Sequence, residues 1–139
     1  MSYQYEGACS CGETKILVKL CSPIDNYIPR VCDCEFCTTR GIAYLSDPNG
    51  KTKIHTQRQL NKLKQGSNQA QFLSCANCDS VVAVGYLFGS GLKGAVNATL
   101  LNDKNQFQQA VAASPKLLEP DEKVKRWQKL WMPINLCNG

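Results

Sequence analysis

Seven of the nine cysteines in this chain fall into three short motifs, and that clustering constrains the fold more than any other feature. The densest is Val31-Cys32-Asp33-Cys34-Glu35-Phe36-Cys37. Extended backbone points side chains i and i+2 to one face, so Cys32 and Cys34 project together. The two-residue turn Glu35-Phe36 can swing Cys37 back towards them. Three sulfurs then meet at one point, each about 2.3 Å from a zinc ion. Zinc takes four ligands, and three protein thiolates leave one position open, which is how catalytic zinc sites differ from closed structural ones. The other motifs, Cys9-Ser10-Cys11-Gly12 and Cys75-Ala76-Asn77-Cys78, each bring two thiols together, the second with zinc-knuckle spacing.

An odd number of cysteines, grouped as C-x-C and C-x-x-C, argues for metal and against a disulfide framework. The start, Met1-Ser2-Tyr3-Gln4-Tyr5-Glu6, has neither the basic start nor the apolar stretch of a secretory signal, so the expected compartment is the reducing cytoplasm. The longest apolar run, near Val81-Val82-Ala83-Val84, falls far short of the roughly 20 residues of a membrane span, and no membrane partner is expected. Cys21 and Cys137 stand alone and read as ordinary packing residues.

The clustered thiols divide into four plus three. The three-cysteine knuckle is local and needs no distant partner. Cys9 and Cys11 can then close a tetrahedral site with Cys75 and Cys78, joining the first hairpin to the middle of the chain. A rival pairing puts Cys9 and Cys11 with Cys32 and Cys34, but it strands Cys37 with Cys75 and Cys78. A structural zinc contributes about 10–16 kcal/mol of apparent binding free energy, which becomes folding free energy.

The 139 residues read as a single domain, 1–139, because a chain of roughly 150 residues buries about 68–70% of its unfolded surface. The pattern is mainly strands. Ile16, Val18 and Leu20 alternate with Lys15 and Lys19, a half-buried strand. Gly41 to Leu45 and Lys51 to Thr56 flank the turn signal Asp47-Pro48-Asn49-Gly50 and read as a hairpin. Gln57 to Lys64 fits either a turn of helix or a polar strand. Val81 to Phe88 reads as a strand buried on both faces. Val96, Ala98 and Leu100 alternate with Asn97 and Thr99 as a returning strand, and Asp103 to Gln109 reads as polar loop. Helical spacing appears only late, with Val124, Trp127, Leu130 and Trp131 on one flank, Pro120 in the first turn and Pro133 as the stop. Asp79, just after the second knuckle, tolerates the positive φ that such turns need.

The formal charge is +5, but a tetrathiolate and a trithiolate zinc would bring the loaded protein to about +2. Lys51, Lys53, Arg58, Lys62 and Lys64 cluster in sequence, as polar strands and loops often do. A solvated face is the favoured reading over a nucleic-acid footprint.

These motifs have a counterpart. Gly7-Ala8-Cys9-Ser10-Cys11-Gly12, Arg30-Val31-Cys32-Asp33-Cys34-Glu35-Phe36-Cys37 and Phe72-Leu73-Ser74-Cys75-Ala76-Asn77-Cys78 together resemble the glutathione-dependent formaldehyde-activating enzyme family, which includes centromere protein V-like domains. The resemblance runs through about Asp103, where Val96-Asn97-Ala98-Thr99-Leu100 is similar to the family's late strand, and is loose beyond it. Members usually carry glycine where this chain has Asp79.

The resemblance implies a β-tent of several coiled antiparallel sheets. It implies structural zinc at Cys9, Cys11, Cys75 and Cys78, and catalytic zinc at Cys32, Cys34 and Cys37. It also implies a carbon–sulfur lyase, in which a glutathione thiolate adds to formaldehyde or a related small carbonyl to give S-(hydroxymethyl)glutathione. Glutathione carries two carboxylates, and Arg30 and Arg40, flanking the knuckle, are the candidates to meet them. The lone histidine, His55, reads as an exposed strand residue, and Asp33 and Glu35 as either proton relays or solvated carboxylates.

The alternative is a non-catalytic zinc- or glutathione-binding module, since the same fold occurs in a small chaperone of Rab-type GTPases. A purely structural scaffold needs only the four-cysteine site, so the triad favours the enzyme. A thioredoxin-like pair at Cys34 and Cys37 fails for want of a preceding βαβ unit. A zinc-ribbon nucleic-acid binder is disfavoured by the weak basic patch and few aromatics.

Overall fold

The computed structural model describes residues 3–32, 41–64, 70–89, 91–102, 111–113 and 120–138. Its strands are β1 (Tyr3–Ala8), β2 (Thr14–Leu20), β3 (Arg30–Cys32), β4 (Ala43–Leu45), β5 (Lys51–Thr56), β6 (Asn61–Lys64), β7 (Gln71–Ser74), β8 (Val81–Phe88), β9 (Gly91–Asn97), β10 (Val111–Ala113) and β11 (Met132–Asn138). One α-helix among the described residues, α1 (Pro120–Leu130), lies between β10 and β11. The mainly β architecture with a helix near the carboxy terminus is the one the residue pattern indicates.

Hydrogen bonding runs in the order β1-β2-β5-β11-β9-β4-β3-β10, while β8, β7 and β6 follow from the other edge of β9. Pairing is antiparallel except for β5 with β11 and β3 with β10. The alternation in β2 behaves as read, with Thr14, Ile16, Val18 and Leu20 buried. The strand read as buried on both faces is so only from Val81 to Gly85, where Val82 and Ala83 enter one apolar cluster and Val81 and Val84 another, while Tyr86 and Phe88 are half-buried and Leu87 is 72% exposed. The larger cluster joins Ile16, Val18, Ile54, Leu73, Val96 and Met132, and the smaller lies under Trp127 and Trp131. The two indoles stack in parallel at 4.7 Å, as their i, i+4 helical spacing allows. The Ser46 hydroxyl donates to the Leu130 carbonyl at 2.6 Å and ties down the end of the helix.

Three local readings need correction, and one left open is resolved. The Asp47–Gly50 turn forms, with the Gly50 N–H donating to the Asp47 carbonyl at 2.8 Å, but it joins no hairpin. Strand β4 pairs with β3 and β9, whereas β5 pairs with β2 and β11. The late strand also stops early. Asn97 accepts from the Thr99 N–H at 3.1 Å and the Thr99 hydroxyl at 2.6 Å, which turns Ala98–Leu100 into a 3-10 turn. The ambiguous segment resolves as β6, paired with β7.

The third correction is the largest. Pro133 stops the helix as expected, yet the chain then enters β11, which lies near the middle of the strand order. Met132 and Pro133 pair with β9, and Ile134 to Asn138 pair with β5. Met132, Ile134 and Leu136 alternate with Pro133 and Asn135, a strand period that sequence reasoning did not take up beyond the helix stop. Met132 and Ile134 are both buried. Side chains of this size contribute about 1.5–3 kcal/mol each when fully buried.

Gly94 sits where β8, β9 and β11 meet. A Cβ there would lie 2.0 Å from the Val84 carbonyl oxygen and 2.5 Å from Ile134 Cδ1. The carbonyl belongs to the ladder and cannot move aside. Gly94→Ala is therefore expected to destabilise the fold by at least the upper end of the usual 1–3 kcal/mol overpacking range, about 3 kcal/mol, read from urea unfolding midpoints.

Asp47 braces the same region from the other end of the turn. Its Oδ2 accepts from the Tyr27 hydroxyl at 2.6 Å and the Cys21 N–H at 3.1 Å, and its Oδ1 from the Asn49 N–H at 3.0 Å. Burial works to raise its pKa, but the Tyr27 hydroxyl and the two N–H groups outweigh it and hold the carboxyl below its usual value. The stability this contributes is present above the unfolded-chain pKa of about 3.9 and is lost as pH falls through the lower folded value. Asp47→Asn should cost about 1.5–3 kcal/mol near pH 7, with the gap from the parent closing as pH falls below about 4 in parallel denaturation curves.

Candidate metal centre

The β1–β2 turn carries Cys9 and Cys11. Gly12, at φ 80°, closes it, and its N–H donates to the Cys9 carbonyl at 3.0 Å. Strand β7 delivers Cys75 and Cys78 in a second turn, where the Asp79 N–H donates to the Cys75 carbonyl and the Cys75 N–H to the Ser80 carbonyl, both at 2.9 Å. Asp79 adopts φ 60°, the left-handed conformation that its position after the knuckle suggests.

The four sulfurs of Cys9, Cys11, Cys75 and Cys78 all lie within 4.8 Å of one another. Cys9 and Cys11 are 3.6 Å apart, and Cys11 and Cys75 are 3.7 Å apart. A tetrahedral ion with sulfur bonds of about 2.3 Å needs sulfur separations of about 3.8 Å, so the donor set fits such an ion. A disulfide needs about 2.05 Å, and these are free thiols. The quartet is the four-cysteine group of the four-plus-three division. The rival pairing of Cys9 and Cys11 with Cys32 and Cys34 is not the one formed.

Polar groups around the quartet point hydrogens at sulfur. The Thr14 N–H donates to Cys9 Sγ at 3.3 Å and the Asn77 N–H to Cys75 Sγ at 3.4 Å. The Ser80 hydroxyl lies 3.2 Å from Cys78 Sγ and 2.9 Å from the Ser10 hydroxyl. Burial raises the Cys78 thiol, but the Ser80 hydroxyl and N–H together with Cys11 outweigh it and bring the pKa down to about 6. Cys75 is lowered in the same way, against its burial, by Cys78, Thr14 and Asn77. Burial pushes Cys9 up to about 11 despite the Thr14 N–H, with the neighbouring thiols adding to the rise. Four thiolates this close repel one another, and a divalent cation is what lets them ionise together. Beyond them, Glu13 approaches Cys75 Sγ at 3.9 Å and is paired with Arg58 at 3.3 Å.

Sequence reasoning missed this outer layer. Ser80, two residues past Cys78, and Thr14, at the end of the first turn, stood where a local signal existed. Arg58 had none, because only the β2–β5 pairing brings it to Glu13.

Of the second motif, the Cys32 backbone closes β3 opposite Ala113 of β10. Cys34, Cys37, Arg40, Asp33 and Glu35 lie outside the described residues. Arg30 opens β3, exposed, at the register position opposite Tyr44. His55 is exposed on β5, as expected. Cys21 is not a packing residue: it is exposed, and its thiol donates to the Asn49 carbonyl at 3.2 Å. A cleft of about 320 Å³ borders the quartet, lined by Ser10, Cys78, Asp79 and Ser80 together with Ile42, Asn97 and Thr99. No helix among the described residues is long and apolar enough to cross a membrane.

The structure thus defines a mainly β protein with a four-cysteine group able to hold a metal ion. Its fold is similar to that of a solved Rhodobacter sphaeroides protein, at a TM-score of 0.55 and 22% identity, over 78% of this chain and 99% of that one. No protein-family model and no curated protein matches the chain.

Cys75→Ser is expected to remove one equivalent of bound metal per chain and abolish the cooperative unfolding transition at room temperature, checked by elemental analysis and thermal melts. Chelation of the parent protein should produce the same loss, because metal binding and folding are coupled.

Proposed function

We propose that the chain is a zinc-dependent carbon–sulfur lyase of the glutathione-dependent formaldehyde-activating type, with Cys9, Cys11, Cys75 and Cys78 holding a structural zinc and Cys32, Cys34 and Cys37 a catalytic one. The observation that carries this reading is the closed quartet: four of the seven clustered thiols are satisfied among themselves, which leaves Cys32, Cys34 and Cys37 of the sequence motifs for a second, three-ligand set. That is the ligand count of a zinc site with an open position.

Zinc bound by the triad would supply a binding position for an incoming thiol and favour its thiolate form. The chain's own residues do the rest. Cys32 at the end of β3, with Cys34 and Cys37 next to it in sequence, would supply the three sulfurs. Arg30, exposed at the start of that strand, and Arg40 beyond the triad offer guanidinium groups to the glutathione carboxylates. With glutathione fixed, its sulfur forms a bond to the carbonyl carbon of formaldehyde, and the carbonyl oxygen takes up a proton. The product is S-(hydroxymethyl)glutathione. The reverse reaction breaks the same bond.

The test combines metal analysis with glutathione titration and turnover. About two zinc ions per chain are expected, with glutathione binding lost in Cys34→Ser while the fold and one zinc remain. Formaldehyde-dependent adduct above the spontaneous rate supports the enzyme. Zinc and glutathione binding without turnover would replace it with a non-catalytic binding module.

A further inference from the structure

We infer that the outer face of the β1–β2–β5–β11 sheet binds the phosphate backbone of a nucleic-acid duplex. Lys15 and Lys19 of β2 project opposite to the buried Ile16, Val18 and Leu20, and Lys51 and Lys53 of β5 opposite to the buried Thr52 and Ile54. The register stacks them in rungs: Lys19 against Lys51, Leu17 against Lys53, Lys15 against His55. On β1, Gln4 lies beside Lys19 and Glu6 beside Leu17, and on β11 Asn135 lies beside Lys53. Glu6 is the one carboxylate among these neighbours. No ion pair among the described residues involves any of the four lysines, since the pair found there joins Arg58 to Glu13.

Like charges directly opposite across a ladder destabilise it, and in one rung the Lys19 ammonium faces that of Lys51, with Gln4 rather than a carboxylate directly beside Lys19. An anionic ligand turns that cost into binding. The rungs repeat every 6.8 Å or so and span about 14 Å, against one phosphate per 3.4 Å or so along each strand of a duplex. The composition of the face selects among polyanions. It holds no arginine and no Phe, Tyr or Trp, His55 being its one ring, because Tyr3 and Tyr5 lie on the opposite face of β1 and Leu17 is its one large apolar side chain. Protein interfaces are depleted in lysine and anchored by aromatics and arginine. Single-stranded nucleic acid needs aromatic platforms for its bases. Lysines on a flat sheet suit phosphates read without regard to sequence. The linear cluster of Lys51, Lys53, Arg58, Lys62 and Lys64 hid this face. In space Arg58 turns to Glu13 and Lys62 lies on β6, while Lys15 and Lys19 take their places.

The test uses the metal-loaded full chain and a labelled random DNA duplex of about 20 base pairs, followed by anisotropy across salt. Four phosphate contacts predict a log–log salt slope of about −3.6, or about a 150-fold loss of affinity between 50 and 200 mM salt. Lys19→Gln with Lys53→Gln should halve the slope, to about a 12-fold loss over the same range, with a melting temperature at or above the parent's because the Lys19–Lys51 repulsion is removed. Lys125→Gln with Lys129→Gln, on the helix, should leave it as in the parent. The proposal is overturned by a slope near zero, by the same slope in the sheet variant, by tighter binding to single-stranded DNA than to duplex, or by binding confined to phosphatidylserine vesicles.

Discussion

The convergence of four sulfurs at one point is the constraint on which the rest of the structure depends. Cys9 and Cys11 come from the turn of the first hairpin, and Cys75 and Cys78 from the turn between β7 and β8. The two turns share no ladder, and an ion held between them closes a loop of more than sixty residues (Cys11 to Cys75 is |i−j| of 64). Closing a loop of that length costs chain entropy that a β-rich domain recovers slowly through non-local pairing. An ion bound by the four sulfurs would offset it at one stroke, and ligation and folding are a single event in sites of this kind.

Two further devices transmit that constraint. Strand β11 pairs with β5 on the hairpin side and β9 on the β8 side, so the two halves of the strand order share backbone hydrogen bonds as well as the four-cysteine cluster. Gly94 permits the crossing, because only a residue without Cβ lets Val84, Gly85 and Ile134 approach so closely. The buried Asp47 network then fixes the turn before β5 against Cys21 and Tyr27. Each device acts where elements distant in sequence meet.

The candidate site was legible to a large extent because thiol chemistry is written locally. C-x-C and C-x-x-C spacing need only a strand or a turn to bring sulfurs together. Counting thiols against zinc's four positions was enough to propose the quartet, and the measured separations agree with it. The conformation of Asp79 was legible for the same reason, since a knuckle imposes it within a few residues. The groups that tune the sulfurs were not. Arg58 reaches Glu13, and Ser10 reaches Ser80, only through pairings made far along the chain.

The amino-acid sequence by itself determined the mainly β character, the half-buried alternation of β2, the doubly buried stretch of β8, the start and stop of the helix and the grouping of thiols by motif. All of these follow from interactions within a few residues, where side-chain period and turn chemistry act. Tertiary structure alone decided that β4 and β5 do not form a hairpin, that β11 lies between β5 and β9, and that lysines from β2 and β5 share one face. Strand partnership is set by which apolar faces can be buried together across the whole fold, and no short stretch of residues carries that information.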